Sequence, residues 1–516
     1  MIDVLTLIIT IIISISLLIT SIYILAYFCH PDDTSSFDGW VLKIVVVFGI
    51  ILSWSQVLAL PLDVSNNRGF GNGLDMHLFW CIIYYADFIY VFIIYPLSVS
   101  YYECDSEWTF CEKLKHSLCF FILTLIIFIT IVVTLYILFG KAEVPITAYE
   151  INLSDFNISS ETFITEQVIN MTQNYTEVKE TNLELNVSLL IYAVGLLTFV
   201  SWFIFAFFGG IGLAAVPLDF FFDFCTRPKL IRSAEVKERR SNLLRHIENL
   251  RALGEELKVM VKNGADREWI FSGRRRKYKR KLHEFRAGCY VADEEFYVVN
   301  ASEEIRVKNN CYVVLYYLLI PLGIITSVLS LLWMSQFICS YIYTSKGRAG
   351  YPLISNLLLY LQDNYMAFLS FFIFTVLCLY LLYCLMKGNF KFGVRIFCCW
   401  TIHPMKKNNT YMNSFLFNIC LILIGSFSIT HFCSNCLSDY ITFTDIDLIF
   451  NVQIKYLKFF NYFYQYNAFE YAFFGISFLS LVFLLCRPSD RTDVVVESKP
   501  DLEMKLLNKK YVRREE

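Results

Sequence analysis

Residues 115–139 read KHSLCFFILTLIIFITIVVTLYILF, a run that carries no charge after Lys115 apart from its histidine. About 20 apolar residues in a helix span the ~30 Å hydrocarbon core of a bilayer, so this run predicts a transmembrane helix. Runs of comparable length lie near 4–28, 40–62, 76–102, 188–216, 310–340, 365–386, 412–433 and 467–486. The expected fold class is therefore all-α, a polytopic transmembrane helical bundle of about nine helices.

Charge is scarce in this chain and unevenly distributed. Of the 516 residues, 56% are hydrophobic and only 17% are charged, whereas a soluble globular protein carries about a quarter charged residues. The charged residues gather in a few segments between the apolar runs. This pattern excludes an ordinary soluble protein, and the 17 scattered cysteines do not form the framework of a small secreted domain.

The polar loop at 140–187, directly after the quoted run, predicts an orientation. It holds five N-x-S/T sequons, at Asn152, Asn157, Asn170, Asn174 and Asn186. Because N-glycans are added only on the lumenal side, we expect this loop to be glycosylated and to face the lumen or the exterior. With nine spans, the N-terminus is then outside and the C-terminus is cytosolic.

The distribution of Lys and Arg supports the same orientation. Of the 44 such residues, 35 lie in the four segments that would be cytosolic, and seven lie in the four outer loops. Positive residues mark cytosolic loops because they resist translocation. The expected organisation is five spans in 1–224, a basic cytosolic helical loop at 225–309, four spans in 310–486 and a disordered cytosolic tail at 487–516.

The cytosolic loop at 225–309 contains two features. Between Ser233 and Val261, apolar residues recur at heptad-like spacing, which predicts either a partner-recruiting coiled coil or a helical hairpin. A cluster of cations follows, and it suits anionic lipid or a simple topology anchor; it consists of Arg274, Arg275, Arg276, Lys277, Lys279, Arg280 and Lys281. The expected partners are the lipid bilayer, anionic lipid and a cytosolic protein, and no nucleic-acid-binding motif is recognised.

One acid lies near the middle of a predicted span. Asp87 follows Tyr84, Tyr85 and Ala86 in the third run, and an ionisable residue at bilayer depth is by default a functional candidate. It could bind a cation, carry a proton or contact a polar substrate. Equally, it could be a structural residue that is protonated or bonded to a tyrosine.

Cysteines and enzyme signatures give little further information. Cys433 and Cys436 form a C-x-x-C at the outer end of the eighth run, and Cys339 ends the sixth run on the same side. A lumenal disulfide among these three is a hypothesis, whereas one C-x-x-C does not predict a zinc site. Hydrolase, P-loop, zinc-protease and kinase signatures are not found, so neither a catalytic residue nor a cofactor is predicted.

Short motifs at the ends of the runs resemble the LMBR-like family, which includes the limb-region membrane protein, the lipocalin-interacting membrane receptor and the lysosomal cobalamin transport escort protein. The motifs contain Pro61, Asp63 and Trp80, then Glu103 and Asp105, and finally Gly210, Gly212, Pro217, Asp219, Arg227 and Pro228. Pro61 and Pro217 are expected to end their helices. The two glycines lie inside an apolar run and predict close helix packing.

The resemblance implies nine spans and receptor, endocytic or transport-escort roles at the plasma membrane or in endolysosomes. The leading hypothesis is a non-enzymatic receptor or trafficking and signalling scaffold. Its lumenal face would bind a ligand, and its cytosolic loop would bind partners or anionic lipid. The alternative is a transporter, channel or lipid-moving protein with a path near Asp87.

Overall fold

The protein is described by a computed structural model at residues 4–30, 37–68, 75–104, 108–149, 178–225, 227, 233–264, 273–307, 316–343, 352–364, 366–391, 395–396, 400–401, 405 and 410–486. Within these ranges, nine helices are long and apolar enough to cross a membrane. The predicted all-α polytopic bundle is confirmed, and the protein is an integral membrane protein.

The nine long helices match the nine apolar runs. They are α1 (Val4–Phe28), α2 (Phe37–Arg68), α3 (Met76–Tyr102), α4 (Phe110–Phe139), α5 (Leu189–Cys225), α8 (Leu319–Phe337), α10 (Ala367–Lys391), α11 (Met412–Cys436) and α15 (Ala468–Cys486). The remaining helices are α6 (Ser233–Lys262), α7 (Gly273–Val307), α9 (Leu353–Asp363), α12 (Ser438–Ile441), α13 (Asp445–Asp447) and α14 (Asn461–Gln465).

The prediction that Pro61 and Pro217 end their helices is wrong. Both prolines lie inside continuous helices, which run on to Arg68 and Cys225. A proline removes one backbone hydrogen bond, and in a packed membrane helix neighbouring groups compensate for that loss. Each proline begins a Pro-Leu-Asp triplet, at residues 61–63 and 217–219. Both triplets are therefore helical, and their acids Asp63 and Asp219 are buried.

The chain forms two compact units, the first of Met1–Val216 with Ser327–Val482 and the second of Pro217–Thr326 with Phe483–Glu516. In the first unit α11 is the central helix, because 83% of its span is buried against 6% for α4. It packs against α2, α5 and α10. The peripheral helices present apolar side chains outward, as a helix that contacts lipid must.

Two glycines allow α5 and α10 to touch through their backbones. A Cβ added at Gly212 would meet the Cys384 carbonyl group, and one added at Gly388 would meet the carbonyl oxygen of Phe208. Small residues permit such close approach between membrane helices. The glycine motif is therefore a packing contact, as its position inside an apolar run predicts.

A β-hairpin and a compact segment, neither predicted as such, also belong to the first unit. Strands β1 (Lys141–Tyr149) and β2 (Val178–Asn186) pair antiparallel. Residues 437–467, here called the cap segment, contain α12, α13, a π-helical turn at Leu448–Ile454 and α14. The Lys458 amide donates to the Lys141 carbonyl (3.0 Å), and the Glu143 amide donates to the Tyr456 carbonyl (2.9 Å). These two backbone hydrogen bonds join the hairpin to the cap segment.

The cap segment is more deeply packed than an interfacial segment would be. Ile446, Phe450, Ile454 and Leu457 are all fully buried. It contains no helix of spanning length, and its burial comes from contacts with α2, α5 and α11.

In the second unit, α6 and α7 form an antiparallel helical hairpin. Leu250 lies against Gly288, and Gly254 leaves room for the ring of Phe285. The heptad-like seam is thus used within the chain, and Leu243 and Leu257 on it are buried.

Candidate functional site

Asp63 is the point where three elements meet. Its side chain is only 1% exposed, and its Oδ2 accepts a hydrogen bond from Trp80 Nε1 of α3 (2.9 Å) and from the Ile446 amide of the cap segment (3.1 Å). Ile446 lies in the first turn of α13, where backbone amides have no partner within the helix and favour an acid. Asp63 and Trp80, two residues of the LMBR-like motif, are thus hydrogen-bonded to each other, and Asp63 also binds the cap segment.

Asp87 lies one turn beyond Tyr84 on the buried face of α3. It is completely buried, and neither carboxylate oxygen has a hydrogen-bond partner among the described residues. The Tyr84 ring stacks between Trp80 (5.5 Å) and Phe427 (5.8 Å), and its hydroxyl likewise has no partner in the described chain. Within the described chain, a tyrosine hydrogen bond therefore does not hold Asp87. A buried carboxyl group without partners is costly in its ionised form.

The central helix α11 carries buried polar side chains that contact α2 and α5. Ser428 Oγ lies 2.6 Å from Ser201 Oγ, and the Ser426 hydroxyl donates to the Gln56 side chain. Nearer the cap segment, Trp202 Nε1 donates to His431 Nδ1 at 2.8 Å. Such polar pairs hold helices together where lipid provides no hydrophobic drive.

Another buried acid, Glu470, was missed from the sequence. It lies in the first turn of α15, is 0% exposed, and its Oε1 accepts from Asn435 Nδ2 at 3.1 Å. His431 is equally buried. The available signal was an ionisable residue within an apolar run, which is the reasoning that selected Asp87.

The other motif residues have local structural contacts. Glu103 at the end of α3 accepts from Asn413 Nδ2 of α11 (2.9 Å). Within the second unit, the Arg227 guanidinium stacks on Phe224 (3.9 Å) and Tyr317 (5.4 Å). Asp105 and Pro228 lie outside the described residues.

The cationic cluster lies on α7. Five of its side chains are exposed, and they form one charged stretch of the helix: Arg274, Arg276, Lys277, Lys279 and Arg280. Lys281 instead pairs with Glu256 of α6 and is only partly exposed. Its hydrogen bond lowers the pKa of the Glu256 carboxyl below the ordinary value.

Sequons and cysteines are only partly described. Asn186 is exposed at the end of β2, and the other four sequon asparagines lie outside the described residues. Cys339, Cys433 and Cys436 are free thiols, so the hypothesis of a disulfide among them does not hold in this structure. Helix α11 continues through Cys436, so Cys433 and Cys436 are buried inside the bundle and do not lie on an outer loop.

No group of three or more His, Cys, Asp or Glu side chains within the described ranges is arranged to hold a metal ion.

Comparison with known proteins gives consistent matches. Residues 6–270 match the family described as LMBR1-like membrane protein. Over almost its whole length the chain is similar to LIMR family proteins, none of which has an enzyme name. One from Dictyostelium discoideum is 31% identical (95% of this chain, 99% of the relative), one from Arabidopsis thaliana is 29% identical (92% and 94%), and one from Oryza sativa subsp. japonica is 28% identical (92% and 94%). No solved structure matches.

Proposed function

The chain belongs to the LMBR1-like (LIMR) membrane protein family, and from that premise we propose that it is a non-enzymatic receptor or trafficking and signalling scaffold. Its β-hairpin and cap segment would form the lumenal ligand face. The α6–α7 hairpin would bind anionic lipid and a cytosolic protein. The proposed location is the plasma membrane or an endolysosomal membrane.

The exposed cationic stretch of α7 carries this proposal. Its five exposed cations lie within seven residues of one helix, and the α6–α7 contact includes other residues, among them Leu250, Gly254, Phe285 and Gly288. Near an anionic leaflet each such cation contributes about 1 kcal/mol of attraction. The chain joins this basic hairpin to the membrane helices α5 and α8, which supports a role at the membrane surface.

The test is the lipid and protein content of the full chain extracted in native lipid discs. Charge reversal of Arg274, Arg276, Lys277, Lys279 and Arg280 to Glu is expected to abolish enrichment of anionic lipid and to reduce partner recovery. The matched control reverses five exposed cations of α6, namely Arg239, Arg240, Arg245, Arg251 and Lys258. Unchanged lipid and unchanged partners in the α7 variant would refute the role of this stretch.

Asp87 favours a second candidate, a transporter, channel or lipid-moving protein. Its carboxyl group is fully buried and has no hydrogen-bond partner in the described chain. Burying an ionisable group in a membrane costs free energy, and such residues often mark the path of an ion or a substrate. The test is reaction of Asp87→Cys with a membrane-impermeant thiol reagent, with exposed Asp439→Cys as the positive control and the native chain as background. Labelling would indicate an aqueous path, and its absence in a well-folded variant would count against transport.

A further inference from the structure

Glu470 is a buried acid whose carboxyl group is only partly satisfied by the described contacts. Glu470 Oε1 accepts from Asn435, but Oε2 has no hydrogen-bond partner in the described chain. A carboxylate has about four lone-pair sites, and removing a charged one from water without partners is strongly unfavourable. A proton on Oε2 removes that charge.

One cation, Lys455 of the cap segment, influences Glu470. It is only partly buried, and it acts on Glu470 through its charge and not through a hydrogen bond. Burial lowers the pKa of Lys455, although the carboxylates of Glu470 and Asp447 raise it. The Lys455 ammonium therefore favours the ionised form of Glu470 and opposes its protonation.

His431 does not compete for this proton. Its Nδ1 accepts from Trp202 Nε1, so the neutral ring carries its hydrogen on Nε2, a buried donor without a described acceptor. A second proton on Nδ1 would break the bond to Trp202. His431 and Tyr464, whose rings are 4.7 Å apart, thus act as fixed polar groups.

We propose that Glu470 is an intramembrane proton-binding site. A proton taken from solvent forms an O–H bond at Glu470 Oε2, and the charged carboxylate becomes a neutral acid. The net change is one bound proton. The attraction between Lys455 and Glu470 is then lost, so proton binding loosens one contact between the cap segment and α15.

Among the described residues, the titratable groups that interact electrostatically with Glu470 are Tyr341 after α8, Cys436 of α11, Lys455 of the cap segment and Tyr464 of α14. Asp447 acts on Lys455. Lys455 is the only cation among them, so its removal should favour the protonated acid.

The test is infrared difference spectroscopy of the full chain in lipid nanodiscs across a pH titration. A protonated-carboxyl C=O band is expected that is lost in Glu470→Gln and retained in Asp439→Asn, whose acid is exposed. In Lys455→Gln the midpoint of that band should move to higher pH. If Glu470→Gln does not accumulate, the native chain and Lys455→Gln still decide the matter.

Three results would overturn the proposal. One is the absence of a buried protonated-carboxyl band in the native chain at every pH tested. Another is a band that persists in Glu470→Gln and disappears in Asp87→Asn, which would assign the proton to Asp87. The last is a midpoint that stays unchanged in Lys455→Gln, which would exclude Lys455.

Discussion

Substitution of Gly212 by alanine should separate α5 from α10. The added Cβ would lie 2.5 Å from the Cys384 carbonyl carbon and closer still to its oxygen, whereas Cβ atoms keep about 3.0 Å from other heavy atoms. Both groups belong to helix backbones, so no side-chain rotation relieves the clash, and the helices must move apart by about 1 Å. Overpacking of this kind costs about 1–3 kcal/mol, occasionally more.

Gly475→Ala is the matched control, because a Cβ at Gly475 meets nothing within 4 Å. Alanine is about 1 kcal/mol better than glycine in a helix interior, so this variant should be neutral or slightly stabilised. The assay is thermal unfolding of the two purified variants in the same lipid nanodiscs. Gly388→Ala should resemble Gly212→Ala, and the double variant should cost less than the sum, because both residues serve one contact.

If Gly212→Ala unfolds at the same temperature as Gly475→Ala, the predicted clash between α5 and α10 is refuted. That result would mean that α5 and α10 do not touch through their backbones.

Three further predictions concern other parts of the chain. Trp80→Phe removes one of the two described hydrogen bonds to Asp63, which should lower the free energy of unfolding by about 1–3 kcal/mol. The cap segment should then become more sensitive to limited proteolysis, and unchanged proteolysis would contradict this. The lowered pKa of Glu256 means that its pairing with Lys281 stabilises the α6–α7 hairpin at neutral pH and is lost as the pH falls through that pKa. Amide exchange in the hairpin should therefore rise on acidification, and Glu256→Gln should reduce the pH dependence. Asn186→Gln should increase gel mobility by one glycan, and a glycosidase-treated sample should show no difference.

The membrane helices could be predicted from sequence because bilayer thickness imposes a length on every apolar run. Asp63 and Trp80 were both recognised as residues of the family motif, but no contact between them was predicted. The α6–α7 hairpin was one of two alternatives left open by the spacing of Leu243, Leu250 and Leu257.

The cap segment and its surroundings could not be predicted in the same way. Its helices are only three to five residues long apart from the π-helical turn, and their burial depends on distant partners such as Asp63. Glu470 lies near one end of its apolar run, where an acid usually remains at the interface, and its burial depends on distant residues such as Asn435 of α11. The prediction that Pro61 and Pro217 end their helices was wrong, because in a packed membrane bundle neighbouring groups compensate for the lost backbone hydrogen bonds.

We predict that the loop 140–187, which carries the five sequons, and the basic α6–α7 hairpin lie on opposite faces of the membrane. One epitope tag inserted within 150–177 and another within 265–272 of the full chain test it directly by antibody binding to sealed vesicles of known orientation. The account predicts that the first tag binds antibody when the lumenal or extracellular face is outward, and the second only after the membrane is permeabilised. Binding of both tags from the same side would contradict it.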